Sequence, residues 1–232
     1  MADRELARDI RAALAAAADP TKAAPMQTYM KSAMPFRGVQ KPARVAALQP
    51  VLRARGLPDR ERWAGTVRLL WDEAEYREER YAAIDLARHR RYAAWAAEIV
   101  SLSLYDHLIV TGAWWDYVDE VAIRLVGPVL RNHHDDVAQT IRKWARDTDR
   151  WRRRAAVICQ VGSRDATDTG LLASCVVANA DEPDFFLRKG IGWALREYAK
   201  CDPGWVRTFV TTHRTRLSPL SVREATRNLQ RM

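Results

Sequence analysis

Strand-like alternation is almost missing from this chain, and that absence points to an all-α protein. Cysteine is scarce: Cys159, Cys175 and Cys201 are an odd set without paired spacing, which argues against a disulfide framework and fits a reducing cytoplasm. All three read as small buried apolar residues. Long uncharged runs are absent too. The most apolar window, Ala93 to Gly112, is interrupted by Glu98, Asp106 and His107, so no membrane span is expected. The opening MADRELARDIRAALAAAADP mixes acids and bases and lacks a signal-peptide layout. There is no glycine-rich phosphate loop, no dinucleotide fingerprint and no HExxH, which leaves nucleotide-driven, hydride-transfer and zinc-protease chemistry without support. His133-His134-Asp135-Asp136 reads as a solvated helix start, because adjacent side chains diverge and no partner spacing for a metal exists. The expectation is a soluble cytoplasmic protein that needs no metal and no cofactor.

What is present is helix and positive charge. The formal charge is +9, so a polyanionic partner is expected, nucleic acid first and an anionic membrane surface second. About ten helical segments follow one another with short polar breaks and no dividing linker, which predicts one domain over residues 1–232. Helix is expected in RELARDIRAALAAAA, and TKAAPMQTYMKSAMPFRGVQKP reads as a loop with a short helix. The run Glu73, Glu75, Glu78 and Glu79 with Arg77 and Arg80 reads as a solvated charged face. In SVREATRNLQRM, Ser221-x-x-Glu224 reads as a capping box.

The helices also repeat. DRWRRRAAVICQ and DFFLRKGIGWALREY share an acidic start, an aromatic, a basic cluster and then small apolar residues. Alignment sets Arg154 opposite Lys189, 35 positions on, and the same step backwards reaches Asp119. This spacing suits two-helix repeats of the HEAT kind, and it predicts a helical solenoid with these three residues on one concave face.

Asp119 lies in TGAWWDYVDEVAIRL. On one continuous helix Trp114, Val118, Val121 and Leu125 form the inward stripe. Trp115 then falls on a neighbouring face with Asp119 four residues later, an aromatic plane beside a carboxylate. Trp193, four residues after Lys189, shares the face of that lysine. WRRRAA sends Arg152, Arg153 and Arg154 in different directions, with one expected towards DNA, one towards solvent and one towards an acid.

QTYMKSAMPFRGVQKPAR, WWDYVDEVA, RWRRRAAVICQ, FFLRKGIGWALREYAK and PLSVREA, in this order, resemble the AlkD-type DNA alkylation-repair glycosylases. The resemblance runs from about Met26 to the C-terminus and leaves residues 1–25 unmatched, an N-terminal helix of open role. It implies HEAT-like helix pairs around double-stranded DNA, and a monomer that releases N3- and N7-alkylated purines in base excision repair. It places the catalytic aspartate at Asp119, the active-site tryptophans at Trp115 and Trp193, and the DNA-contacting arginine at Arg154. It sets Tyr29 near the lesion and adds Gln40, Lys189 and Arg196 as DNA contacts.

These residue types suit the implied reaction. An N3- or N7-alkylated purine is already cationic and leaves without a strong general acid, while positive charge grows on the deoxyribose as in glycoside hydrolysis. A fixed carboxylate stabilises that charge and orients water, and an indole face favours it. Arg154 is always protonated, so it is expected to hold a phosphate bidentately rather than act as base. The alternative is a non-enzymatic HEAT-like scaffold for nucleic acid or protein. It is set against the joint presence of Trp115, Asp119, Arg154 and Trp193, which a scaffold does not need.

Overall fold

The structure is a computed structural model and describes residues 1–229, so the end of the SVREATRNLQRM segment, Gln230 to Met232, lies outside the described residues. Among the described residues there are helices and no strands, as the periodicity predicts. No single helix among them is long and apolar enough to cross a membrane. The chain forms two compact units, Met1–Ala96 and Ala97–Met232.

In the first unit α1 (Arg4–Ala16) starts on an Asp3 cap whose carboxylate accepts the Leu6 N–H at 2.8 Å. Leu6, Ile10 and Leu14 follow at one-turn spacing and are buried. Then come α2 (Pro20–Met30), α3 (Lys41–Ala54), α4 (Arg60–Asp72) and α5 (Arg77–Ala87), closed by the short α6 (Ala93–Ala96). Helix α1 packs on α3 and α4, and α4 on α5. The stretch expected to be mostly loop is largely α2, because Asp19 caps it and Pro20 sits in its first turn, where a missing N–H costs nothing. Only the connection from Lys31 to Gln40 is irregular. Gly38 in it has φ +83°, and a Cβ there would lie 1.9 Å from the Asp19 carbonyl oxygen.

The acidic run is a solvated face only at its start: Glu73 and Glu75 are exposed, and the residues after them are not. Glu78 and Glu79 are 0% and 1% exposed, and Arg77 is buried beside them. Glu78 Oε1 accepts the backbone N–H groups of Arg37 and Val39 at 3.1 and 2.9 Å, tying the Lys31–Gln40 connection to α5. Glu79 pairs with Arg37 at 3.1 Å and with Arg11 at 3.4 Å. Charges placed on one turn of α5 are therefore consumed by distant partners, which local spacing cannot show.

The second unit contains α7 (Leu102–Gly112), α8 (Trp115–Val121), α9 (Gly127–Asn132), α10 (His134–Trp144), α11 (Arg150–Ile158), α12 (Thr169–Val177), α13 (Phe185–Tyr198), α14 (Pro203–Thr212) and α15 (Pro219–Thr226). Asp149, Asp168, Asp184 and Asp202 cap α11 to α14 through side-chain bonds to backbone N–H groups. The shared acidic start of the two aligned segments is thus a pair of N-caps, Asp149 and Asp184. Helix α8 packs on α11, α11 on α13 and α13 on α15, so the 35-residue step leads from one packed helix to the next. Ion pairs mark it: Asp119 with Arg154, Asp181 with Arg216 and Lys189 with Glu224 are each 35 positions apart. At Gly192 a Cβ would lie 2.4 Å from Glu224 Cβ, so only glycine lets α13 and α15 approach this closely.

The capping box is not formed. Ser218 is the cap of α15 and its hydroxyl accepts the Ser221 N–H at 3.0 Å. Ser221 instead donates to the Arg188 carbonyl at 3.0 Å, and Glu224 is drawn to cations of α13.

Candidate active site

Thr111 to Leu125 is not one helix. Helix α7 ends at Gly112, Ala113 turns into the left-handed region at φ 42°, and Trp114 is the extended cap before α8. The two tryptophans therefore part company through a chain reversal, not through helical pitch. Trp114 is half-buried in an aromatic cluster, with its ring 6.2 Å from Trp151 and 5.5 Å from Phe186. Val118, Val121 and Leu125 are buried as the stripe predicts, and Tyr117, outside it, is fully buried as well. A π-helical turn, Ala122–Val126, follows α8 directly, an uncommon distortion often found at functional sites.

Asp119 and Arg154 form a two-pronged ion pair, Nε to Oδ1 and Nη2 to Oδ2, both at 2.7 Å. The remaining guanidinium nitrogen, Nη1, donates to the Phe186 carbonyl of α13. The arginine side chain is 6% exposed and the aspartate 14%. A planar fork held at both ends fixes the carboxylate plane. Burial raises the Asp119 carboxyl above its ordinary value, and the hydrogen bonds and charge of Arg154 work against that rise. Each Asp119 oxygen accepts one hydrogen bond from Arg154, which leaves lone pairs available.

Asp119 opens on a cleft of about 380 Å³, lined also by Glu120, Ile123, Arg124, Trp193 and Glu197. Two of the sequence-predicted catalytic residues, Asp119 and Trp193, thus share one cleft, although 74 positions separate them in the chain (193 − 119 = 74). Trp115 does not line it; it is half-buried in the first turn of α8. A larger neighbouring cleft of about 580 Å³ shares Val161, Gly162 and Glu197 with the first and reaches Tyr198 and Cys201.

Residues 10–229 match the model of the family described as DNA alkylation repair enzyme. The chain belongs to this family. The solved structure titled "Predicted DNA alkylation repair enzyme from Enterococcus faecalis" is similar to it at 28% identity and a TM-score of 0.82, over 93% of this chain and 98% of that one. No curated protein matches the chain.

In this DNA alkylation repair enzyme the predicted DNA-facing cations are more committed than their spacing suggests. Arg154 spends its fork on Asp119, so the arrangement is not that of an arginine presenting both prongs to a phosphate. All three arginines of WRRRAA have acidic partners: Arg152 holds Asp106 at 2.6 and 2.8 Å, and Arg153 holds Glu182. None is simply left to solvent or DNA, as had been expected of two of them. Lys189 bonds Glu224 at 2.8 Å, and Arg196 bonds the other oxygen of the same carboxylate. Tyr29 and Gln40 belong to the first unit; Tyr29 is 76% exposed near the end of α2, and Gln40 is exposed before α3.

Other candidates resolve into structure. His134 Nε2 meets Asp168 at 2.8 Å, and those contacts raise its pKa. Among the described residues no group of three His, Cys, Asp or Glu side chains is placed to hold a metal ion. Cys159 and Cys175 are buried as expected, and burial pushes the Cys175 thiol up to about 11. Cys201 is the exception, half-buried at the larger cleft. Sequence reasoning missed Phe186, whose carbonyl anchors Arg154, and gave Glu224 to a capping box instead of to Lys189 and Arg196; neither contact has a local signal.

Proposed function

We propose that the protein is a DNA glycosylase that hydrolyses the N-glycosidic bond of N3- and N7-alkylated purines in duplex DNA. The observation that carries this reading is Asp119, a carboxylate fixed by a buried arginine at the edge of a cleft it shares with Trp193. As the cationic base departs, positive charge develops at C1′ of the sugar. The Asp119 oxygens keep lone pairs to stabilise that charge and to orient a water for attack on the face the base leaves. Trp193 offers an aromatic face to the cationic sugar. Arg154 acts through Asp119: it opposes the upward shift that burial imposes on the acid and holds its plane, so little reorganisation is needed in the transition state. Because the larger cleft shares residues with the Asp119 cleft, bulky N3-alkyl adenines are included among the substrates alongside methylated bases.

The test is release of free base from alkylated duplex DNA by wild type and Asp119→Asn. The substitution keeps size and removes charge, and it is expected to slow release by about 10²–10³. It also leaves Arg154 buried without its counter-charge, a loss of about 3–5 kcal/mol in stability for a broken buried pair, so unfolding is measured alongside. Trp193→Ala, which spares the pair, supplies a second variant. Unchanged release by folded Asp119→Asn would sink the proposal.

A further inference from the structure

A separate basic cleft lies in the first unit, far along the chain from Asp119. It has a volume of about 620 Å³ and is lined by Gln49 and Arg53 of α3 and by His89, Arg90 and Arg91 after α5. Gln49 and Arg53 are one helical turn apart on an exposed face, and Arg90 is exposed opposite them across the cleft.

The last turn of α3 would ordinarily present unpaired carbonyls and a negative dipole end here. Arg91 removes that: its Nη1 donates to the carbonyls of Leu52 and Arg55 at 3.0 and 3.1 Å, and its Nη2 to that of Arg53 at 3.3 Å. With the helix end satisfied, the remaining charge in the cleft is cationic. Among the described residues neither Arg53 nor Arg90 has a carboxylate partner, unlike Arg152, Arg153 and Arg154 in the second unit. The acid at the adjoining surface, Asp85, is held by Arg44 at 2.7 Å. His89 accepts the Arg91 N–H on Nδ1 at 3.3 Å, so in its neutral form the proton sits on Nε2 and can be donated. Burial first, and then the charges of Arg91 and Arg90, lower its pKa.

We infer that this cleft is a backbone-phosphate site for duplex DNA, a second anchoring surface that Arg53 and Arg90 form independently of the Asp119 cleft. The inference rests on DNA being the partner. Phosphate oxygens suit it because two guanidinium forks and one imidazole N–H offer donors without any base-reading geometry, so the contact holds the duplex and carries no sequence preference.

The test measures binding of an undamaged duplex oligonucleotide across a range of salt concentrations, for the full chain and for Arg53→Ala/Arg90→Ala. Each phosphate contact contributes about one unit to the slope of log K against log salt, so the double variant is expected to lose about two units. Arg53→Lys/Arg90→Lys should recover most of the slope. As a second readout, the imidazole shift of His89 followed by NMR should titrate at higher pH with the duplex bound, the neighbouring groups Arg53, Asp85, Arg88, Arg90 and Arg91 being unaltered. A wild-type slope retained in full by the alanine variant, with His89 unmoved, overturns the inference alone. A wild type with no salt-dependent DNA binding overturns both it and the choice of partner.

Discussion

Two carboxylates, one in each unit, show how similar chemistry serves different ends. Glu78 is wholly enclosed, and its oxygens are taken up by backbone N–H groups of Arg37 and Val39. Asp119 is only partly enclosed, its side chain 14% exposed; its partner is a guanidinium that occupies one edge of the carboxylate, and its other edge borders a cleft. A carboxylate wholly enclosed and bonded by amides of an irregular segment fastens that segment and offers nothing to a ligand. One gripped by a fixed cation keeps both its charge and free lone pairs. Besides burial, the identity of the donors and the space on the far side separate the two.

Substitutions at the two sites should therefore fail in different ways. At Asp119 the Asn variant loses chemistry first, as stated above, by about 10²–10³ in release rate. At Glu78 the Ala variant should lose stability and leave the chemical step intact. It strands two buried backbone donors at about 1–3 kcal/mol each, so a fall of about 2–6 kcal/mol in urea-measured unfolding energy is expected. A Glu78→Ala protein that folds as stably as wild type would show that the Lys31–Gln40 connection does not depend on this anchor. Single-turnover release per folded molecule should match wild type.

Much of the second unit was legible because it repeats. Asp119, Arg154 and Lys189 could be aligned from their flanking apolar pattern, and the 35-residue step is the one by which ion pairs join successive helices. What the pattern could not give was who pairs with whom. The repeat set the residues on neighbouring helices but did not show that Asp119 pairs with Arg154 or that Glu224 is shared by Lys189 and Arg196. Periodicity locates a side chain on its own helix but is silent on charges that approach from another. The same blindness turned Glu78 and Glu79 into surface residues, since their partners lie about 40 positions away, beyond any helical window. The break at Ala113 was hidden for a different reason: a non-glycine residue in the left-handed region leaves no compositional mark.

The pH dependence sharpens the contrast further. The folded Asp119 carboxyl is raised above its ordinary value, chiefly by burial, so the ionised form needed for catalysis is lost sooner on acidification than at an exposed aspartate. Base release should fall as pH drops through that raised value, while duplex binding measured in parallel stays nearly level. Glu224 shifts the other way: its bonds to Lys189 and Arg196 lower its pKa. Its contribution to stability is present above the unfolded carboxylate value and disappears as pH falls through the lower folded value. An acid limb of activity lying above the acid limb of unfolding is the expected order; coincident limbs would mean that acidification acts on the fold and not on Asp119.

The smallest effect concerns cations that are present but occupied. Lys189 is 41% exposed and Arg196 20%, and both lean on one glutamate of α15. If these cations meet DNA, a phosphate must compete with Glu224 for them, and part of their charge is already cancelled. Glu224→Gln keeps the side-chain length and removes the competitor. Stability should fall by no more than about 1 kcal/mol, since partly exposed ion pairs contribute little. Duplex affinity should rise, with the salt dependence steeper by about one unit. An unchanged slope would place Lys189 and Arg196 outside the DNA contact and make Glu224 a fastening between α13 and α15, the role of Glu78 repeated in the second unit.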